Sequence, residues 1–203
     1  NPDIYSYIDI IDYLGYDDLL KMFSFILKNI MIFMSNSHSF LIINKIISLY
    51  NSSQIISKNI QMKNIENNIG ENILTFLSAF FSKRIIYLIN SNNYIETIIN
   101  LVHTLGYPKN DFIFSEVKQE FKHYSNNRQG CILIQNIFPL GNEIQQQNLL
   151  VVILDKYNEI IIDRYGHYIF KYLLYKVEHG EKYYILVFNR IVNNLKKYTT
   201  NKY

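Results

Sequence analysis

The stretches Asn127-Arg128-Gln129-Gly130-Cys131-Ile132-Leu133-Ile134-Gln135 and Asp163-Arg164-Tyr165-Gly166-His167-Tyr168-Ile169-Phe170-Lys171 decide the fold of this 203-residue chain. Both have glycine as the fourth residue, ahead of a run of mainly apolar residues, and the two glycines are 36 residues apart. A fixed period of this size is typical of solenoids, in which each repeat buries its apolar face against its neighbours. The chain is therefore predicted to consist of such repeats.

The glycine position of each repeat, called its slot below, can be followed through the whole chain. Slots at 4, 39, 94, 130 and 166 are separated by 35, 55, 36 and 36 residues. The one long spacing contains a polar run at about 51–70, which we predict to be a surface loop inserted into one repeat. The chain ends with Asn201-Lys202-Tyr203, which matches the residues before a further slot. We interpret residues 1–203 as one repeat-domain fragment whose last repeat is truncated.

A second amphipathic segment lies between successive slots. These segments span 17–34, 71–89, 112–123, 146–162 and 182–198, with apolar residues at the three- and four-residue spacing of a helix. Glycines at 15, 70, 106, 141 and 180 fall between the helical pairs and are predicted to allow chain reversal. The run 149–154 alone would favour a strand, but the equivalent run 184–192 favours a helix. Each repeat is therefore predicted to be a helical pair in an all-α fold.

The composition narrows the class of protein. Hydrophobic residues make up 49% and charged residues 18% of the chain, a balance typical of soluble globular proteins. The net charge of +3 permits a nucleic-acid partner without demanding one. The most apolar early window, 22–34, contains Lys28 and is shorter than the roughly 20 residues of a membrane span. A buried helix is predicted there, and no signal peptide is evident.

The single cysteine, Cys131, excludes an internal disulfide framework and a multi-cysteine zinc site, and it favours a reducing compartment. No histidine lies at a spacing that would activate its thiol. The sequence contains no glycine-rich phosphate loop, no HExxH zinc motif and no nucleophile elbow. The chain is therefore predicted to be a binding module rather than an enzyme, with no cofactor and no metal site.

The segments 130–135 and 165–171 resemble the RNA-reading helices of Pumilio (PUF) repeats, whose consensus is similar to Tyr-Gly-Cys-Arg-Val-Ile-Gln and Tyr-Gly-Asn-Tyr-Val-Ile-Gln. Motifs carry the resemblance over about 111–203, and the period and apolar pattern carry it over 1–110. The resemblance implies a right-handed superhelical α-solenoid that binds single-stranded RNA as a monomer, each repeat reading one base with two or three side chains. It also implies protein co-repressors on the outer face.

In the repeats that this chain resembles, the first and fifth residues after the slot contact the Watson–Crick edge of a base, and the second stacks between bases. The first and fifth residues share one helical face, because i and i+4 lie one turn apart. By this resemblance, Cys131 and Gln135 form a pair associated with adenine, and Ile132 takes the stacking position. An amide such as that of Gln135 offers both the donor and the acceptor that an adenine edge requires.

The next repeat departs from the consensus. His167 and Lys171 replace the expected Asn and Gln, while Tyr168 keeps a stacking ring. Lys171 has no acceptor atom, so it can contact a base carbonyl or a phosphate but cannot make the two-way pair. Packing between repeats remains an alternative role for Tyr168 and Ile132. Lysines at 156, 171, 176, 182, 196 and 197 fit a solvated face as well as an RNA-facing one.

The earlier repeats lack recognised reading pairs. Their equivalent residues are Phe40, Leu41 and Asn44; Ile95, Glu96 and Ile99; and Tyr5, Ser6 and Asp9. Asp9 and Glu96 carry the wrong charge for facing phosphates. Phe40 and Asn44 are retained as candidate RNA-binding residues beside those of the last two repeats.

These observations favour a sequence-selective single-stranded RNA-binding protein that acts in the cytoplasm on mRNA translation or stability, through 3′ UTR sites. One alternative is a nucleolar, PUF-like ribosome-assembly factor that binds RNA with low specificity, which the degenerate early repeats favour and the mild charge disfavours. Another is a helical-repeat scaffold that binds a protein and has a decayed RNA code. Specificity is predicted to be concentrated around Cys131 and Gln135.

Overall fold

The structure is a computed structural model that describes residues 8–59, 66–90, 93–175 and 181–200. The described residues form helices and turns without a strand, which confirms the all-α fold class. The chain divides into two compact units, 1–104 and 105–203, and each is treated by itself below. The single domain over 1–203 stays a prediction. Within the described residues, no helix has both the length and the apolar character to cross a bilayer.

The helices of the first unit are α1 (Tyr16–Lys28), α2 (Ile30–Ser35), α3 (Ser39–Asn59), α4 (Glu66–Phe81), α5 (Ile85–Ile89) and α6 (Tyr94–Leu105), preceded by a 3-10 turn at Ile11–Tyr13. Those of the second are α7 (Asp111–Gln119), α8 (Phe121–Ser125), α9 (Arg128–Ile137), α10 (Glu143–Asp155), α11 (Tyr157–Ile160), α12 (His167–Tyr175) and α13 (Glu181–Thr200). A 3-10 turn at Phe138–Leu140 follows α9. The helix α10 covers the run 149–154, which confirms the helical alternative for that run.

The first four predicted amphipathic segments are each broken into two helices, which corrects the prediction of one helix per segment. We call α1, α4, α7 and α10 the long helices, α2, α5, α8 and α11 the short helices, and α3, α6, α9 and α12 the slot helices. At Asn29, Glu120 and Lys156 the backbone leaves the helical region for one residue. At Lys83 the break includes a left-handed residue, with φ of 58°.

The breaks escape sequence reasoning because apolar residues continue at helical spacing on both sides of them. In the third repeat, α7 buries Ile113 and Val117, and α8 buries Phe121 and Tyr124. The short helix α8 packs directly against the slot helix α9. A change of direction at the break thus lets both helices bury their apolar faces. The burial of these side chains outweighs the loss of one continuous helix.

The predicted surface loop at 51–70 is wrong for the residues that the structure describes. Residues 51–59 extend α3, residues 66–70 begin α4, and these two helices pack against each other. The Ser53 hydroxyl is buried and donates to the Tyr50 carbonyl at 2.7 Å. A Cβ atom on Gly70 would lie 3.0 Å from Gln54 Nε2, so the helices meet closely there. Helix packing therefore overrides the loop preference of this polar sequence.

Fewer of the five glycines between the helical pairs are needed for chain reversal than the sequence predicted. Gly106, with φ of +60°, has the left-handed conformation that favours glycine. Gly70 lies inside α4, and Gly15 and Gly141 have φ values open to any residue, −65° and −73°. Position 180, the slot at 4 with Tyr5 and Ser6, and the terminal 201–203 lie outside the described residues.

In the second unit, polar contacts recur between residues about one period apart. Gln145 Nε2 donates to Asn110 Oδ1 at 2.9 Å, which ties α10 to the residue before α7. The Tyr183 hydroxyl donates to Gln146 Oε1 at 3.1 Å, which ties α13 to α10. The sequence period is therefore a spatial period in this unit, as in a solenoid.

Successive repeats of the first unit also pack against each other, despite the 55 residues between their slots. The rings of Phe23 in α1 and Phe76 in α4 stack with centroids 4.3 Å apart. The Tyr94 hydroxyl donates to Ser39 Oγ at 2.8 Å, so the slots at 39 and 94 are in direct contact. The 55-residue step thus joins neighbouring repeats, and those of the extra residues that the structure describes lengthen α3 and α4.

Candidate nucleic-acid interface

Both slot glycines of the second unit serve close packing of a slot helix on the preceding short helix. A Cβ atom on Gly130 would lie 2.2 Å from the carbonyl oxygen of Tyr124. A Cβ atom on Gly166 would lie 2.3 Å from Ile160 Cγ2 and 2.8 Å from the Ile160 carbonyl oxygen. Any side chain would therefore push α9 or α12 away from the short helix. The glycines therefore set how closely these two helices approach the short helices.

A side chain three residues before each slot also accepts hydrogen bonds from backbone N–H groups, at the N-cap of α9 and in the turn that leads into α12. Asn127 Oδ1 accepts hydrogen bonds from the backbone N–H groups of Gln129 and Gly130, at 2.8 and 3.3 Å. Asp163 Oδ1 accepts from the N–H groups of Tyr165 and Gly166, both at 2.8 Å. Such caps satisfy N–H groups that a helix start leaves without partners. The caps and glycines together define the direction of the side chains that follow.

The slot helices α9 and α12 pack side by side and leave a groove of about 470 Å³ between them. Four predicted RNA-binding residues line it: Cys131, Ile132, Gln135 and Tyr168. We call this cavity the α9–α12 groove. It brings together the predicted reading pair of one repeat and the predicted stacking ring of the next.

Three further residues of the groove, Arg128, Arg164 and Tyr165, were not predicted as site residues. The signal for the arginines was present, because both lie two residues before a slot and repeat at the 36-residue period. The predicted site residues all follow a slot, so the two arginines were not among them. The Arg164 guanidinium carbon lies 5.4 Å from the centroid of the Tyr165 ring, within the range of a cation–π contact.

Cys131 forms part of the groove floor and is only 3% exposed. Its thiol donates to the Ser125 carbonyl with an Sγ–O distance of 3.1 Å. Burial raises the pKa of the Cys131 thiol to about 12, and the negative charge of Asp163 acts in the same direction. The thiol is therefore neutral at physiological pH, which makes it a poor nucleophile. Its surface is available to a ligand chiefly for van der Waals contact.

Gln135 is half-buried, and its amide makes no hydrogen bond with the described residues. The Tyr168 side chain is 48% exposed, and its ring lies 4.1 Å from the ring of His167. His167 is half-buried and Nδ1 donates to the Asp163 carbonyl at 2.9 Å. The groove therefore offers a free amide and an accessible ring, while His167 is engaged with the backbone.

Lys171 is exposed and lies outside the lining of the α9–α12 groove. Lys156 forms an ion pair with Glu159 at 3.1 Å, and both side chains are about half exposed. The positions of Lys171 and Lys156 fit a solvated face. The side chains of the other four predicted lysines, at 176, 182, 196 and 197, lie outside the described residues.

The slot helices of the first unit present a different surface. Phe40 and Asn44 are half-buried, Ile95 is 7% exposed, and Asp9 and Glu96 are exposed. The cavity of this unit that touches α3 is lined mainly by apolar side chains, and it includes neither Phe40 nor Asn44. The described structure thus brings Cys131, Ile132, Gln135 and Tyr168 into one groove. His167 and Lys171 of α12 lie outside its lining, and Phe40 and Asn44 line neither of these two cavities.

No protein-family model matches this sequence, and no curated protein matches it either. Among solved structures, the Puf3 RNA-binding domain bound to site A of the Cox17 RNA 3′ UTR recognition sequence is similar, with a TM-score of 0.51 and 17% identity. The same domain bound to site B gives a TM-score of 0.50 and 18% identity. Each match covers 93% of this chain and 60% of the other. This chain has the PUF-like all-α solenoid fold and spans about 60% of the length of those chains.

Proposed function

We propose that this protein binds single-stranded RNA in the α9–α12 groove. The observation that carries the proposal is the gathering of the Gln135 amide, the Tyr168 ring and two arginines in one open groove. These are the groups that single-stranded RNA requires: a polar edge reader, a stacking surface and positive charge. The two similar structures are, by their names, complexes with RNA, and they have the same fold.

Each side chain has a separate task in this proposal. Gln135 donates to and accepts from the Watson–Crick edge of one base, which an amide can do in both directions. The Tyr168 ring stacks on the face of a base, and such stacking contributes about 1 to 3 kcal/mol with little dependence on sequence. Ile132 and the buried Cys131 provide the apolar floor on which the base rests.

The cellular role that we propose is regulation of mRNA translation or stability in the cytoplasm, through sites in 3′ UTRs. Sequence preference would be concentrated at the base read by Gln135, because the equivalent Ile99 and Lys171 cannot both donate and accept, and the equivalent Asn44 does not line the α9–α12 groove. We further propose that the protein acts as a monomer on RNA and binds protein co-repressors on its outer face.

Selection from a random pool of single-stranded RNA tests this function directly. The wild type is expected to enrich a short motif with adenine at one position. The variant Gln135→Glu replaces a group that donates and accepts with one that only accepts, which suits the N–H donors of guanine. That position of the motif should therefore change from adenine towards guanine.

The matched control is Asn136→Asp, which makes the same amide-to-carboxylate change one residue further along α9. Asn136 is exposed, donates to the Ile132 carbonyl at 2.7 Å and lies outside the groove lining. The RNA motif selected by Asn136→Asp should equal that selected by the wild type. A motif that Gln135→Glu leaves unchanged would remove Gln135 as the reader, and a wild type that enriches no RNA would overturn the function.

RNA binding with low specificity, as in a nucleolar ribosome-assembly factor, is the second candidate. The burial of Cys131 and Ile95 favours it, because both occupy the first reading position and neither offers a polar group to a base. In that case the wild type should bind RNA in a filter-binding assay, yet the selected pool should show no motif. A protein-binding scaffold should bind no RNA in either assay.

A further inference from the structure

Arg128 and Arg164 occupy the same position of two consecutive repeats, two residues before Gly130 and Gly166. Both side chains are exposed, and both line the α9–α12 groove. Within the part of the chain that the structure describes, neither guanidinium forms an ion pair. The carboxylate adjacent to Arg164 in sequence, that of Asp163, accepts hydrogen bonds from the N–H groups of Tyr165 and Gly166 in the turn before α12. The groove therefore contains two positive charges that no described residue neutralises.

The arginines and Gln135 are separated along the groove in the way that the phosphate and the base are separated in a nucleotide. Arg128 is the first residue of α9, and Gln135 follows it by seven residues, or roughly 10 Å along the helix axis. Arg164 lies in the turn that leads into α12. The guanidinium groups thus lie at the end of the groove where the slot helices begin, and the base-reading amide lies towards the other end.

We infer that Arg128 and Arg164 each bind one phosphate of two neighbouring nucleotides and thereby fix the register of the RNA strand across the slot helices. This inference rests on the proposed function. Packed helices are about 8 to 10 Å apart, which sets the step from one repeat to the next. A guanidinium binds phosphate oxygens through two parallel N–H groups. The ring of Tyr165 restricts Arg164, so less freedom is lost on binding.

An arginine two residues before the slot occurs only at the slots 130 and 166, because the equivalent residues of the other slots are Pro2, Ser37 and Asn92. The residue two before the slot at 39 is Ser37, whose hydroxyl contacts His38 Nδ1 at 3.0 Å. The equivalent residues 2 and 92 lie outside the described residues. Two phosphate contacts are therefore assigned, one for each arginine.

The salt dependence of RNA binding measures these contacts. The probes are oligo(A) and oligo(U) single-stranded RNA, whose phosphates are alike while their bases differ. Each phosphate contact on a single strand adds about 0.7 to the slope of log affinity against log salt. The double variant Arg128→Gln/Arg164→Gln should reduce the slope by about 1.4, or about sevenfold in relative affinity between 50 and 200 mM salt. The reduction should be the same on both probes.

The charge-matched control is Lys118→Gln/Lys122→Gln. These exposed lysines belong to α7 and α8, they do not line the groove, and their loss also removes two positive charges. The slope should remain that of the wild type. Arg128→Lys/Arg164→Lys keeps both charges and should keep the slope of the wild type. Each single Arg→Gln variant should reduce the slope by half as much as the double variant does.

The outcomes separate the two proposals. If the wild type binds the probes and the arginine variants change the slope no more than the lysine control does, the phosphate assignment is wrong and RNA binding stands. If the wild type binds neither these probes nor a random pool, the proposed function fails and the assignment falls with it. Because both arginines are exposed, the variants should keep the wild-type circular dichroism spectrum.

Discussion

In the second unit, Gly130 and Gly166 allow each slot helix to touch the backbone of the preceding short helix, whereas in the first unit Ser39 and Tyr94 fill the same slots with buried side chains. The first unit compensates with a hydrogen bond from the Tyr94 hydroxyl to Ser39 Oγ at 2.8 Å. One repeat pattern is thus maintained by two kinds of packing. Glycine at the slot is one solution for placing the helix, and a polar contact between neighbouring slots is another.

The surfaces of the two units differ in chemistry as well. The α9–α12 groove of the second unit combines arginine, amide and aromatic side chains. The cavity at α1, α2 and α3 of the first unit is mainly apolar, and Phe25 and Ile32 in its lining are 66% and 74% exposed. The comparison teaches that units built from one repeat pattern can carry surfaces of different chemistry.

The largest effect is expected from filling a slot glycine of the second unit. Gly130→Ala places a Cβ atom 2.2 Å from the Tyr124 carbonyl oxygen, so backbone must move. Overpacking of this kind should lower the free energy of unfolding by about 3 kcal/mol. Urea denaturation followed by circular dichroism measures the change.

Gly15→Ala is the control for that substitution, because a Cβ atom at Gly15 meets nothing within 4 Å. Gly15 precedes α1 as its N-cap, so the substitution should cost less than about 1 kcal/mol. Equal losses for the two variants would contradict the close-packing role of Gly130, and with it the contrast between the two kinds of slot.

A smaller effect is expected from the second position after the slot, compared between the units. Tyr168→Ala removes a stacking ring and should weaken RNA binding by about 2 kcal/mol, or roughly 30-fold. Leu41→Ala changes the equivalent residue of α3 and should leave RNA affinity unchanged. Fluorescence anisotropy with oligo(U) measures both.

Tyr168→Phe keeps the ring and should keep the affinity of the wild type, since the Tyr168 hydroxyl has no partner among the described residues. If Leu41→Ala weakened binding as much as Tyr168→Ala, RNA would also contact the first unit. The expectation that α3 makes no stacking contact with RNA would then be wrong.

The smallest effect is expected at the polar contact between the slots of the first unit. Tyr94→Phe removes the donor to Ser39 Oγ while Ser39 still donates to the Asn36 carbonyl at 2.7 Å. The loss of one buried hydrogen bond should lower the free energy of unfolding by about 1 kcal/mol. Tyr87→Phe is the control, because Tyr87 is 68% exposed, and it should be neutral. A neutral Tyr94→Phe would show that this contact does not stabilise the first unit.

Several features of the site were accessible from the sequence because they depend on a period. The slot at 94 was located one 36-residue period before Gly130, and the slot at 39 by its matching residue pattern; their side chains are hydrogen-bonded in the structure. The residues Ile132, Gln135 and Tyr168 were placed by counting from a slot, and the structure gathers them in one groove. Arg128 and Arg164 could have been found in the same way, had positions before the slot been counted.

Other features were inaccessible because they depend on what surrounds a residue. The polar run at 51–70 has the composition of a loop, yet its described part is helical because α3 and α4 pack along each other. Cys131 occupies a motif position typical of a base-reading residue. Its neighbours nevertheless bury it, and its S–H group donates to the Ser125 carbonyl instead of to a ligand.

The sequence by itself determined the all-α class, the repeat period and the face of each slot helix, because these follow from the spacing of apolar residues and glycines along the chain. Only the tertiary structure decided where the long segments break, how the polar insert is used and which side chains remain accessible. The physical reason is that spacing is a local property, whereas burial and close contact depend on residues that the chain brings together from a full repeat or more away.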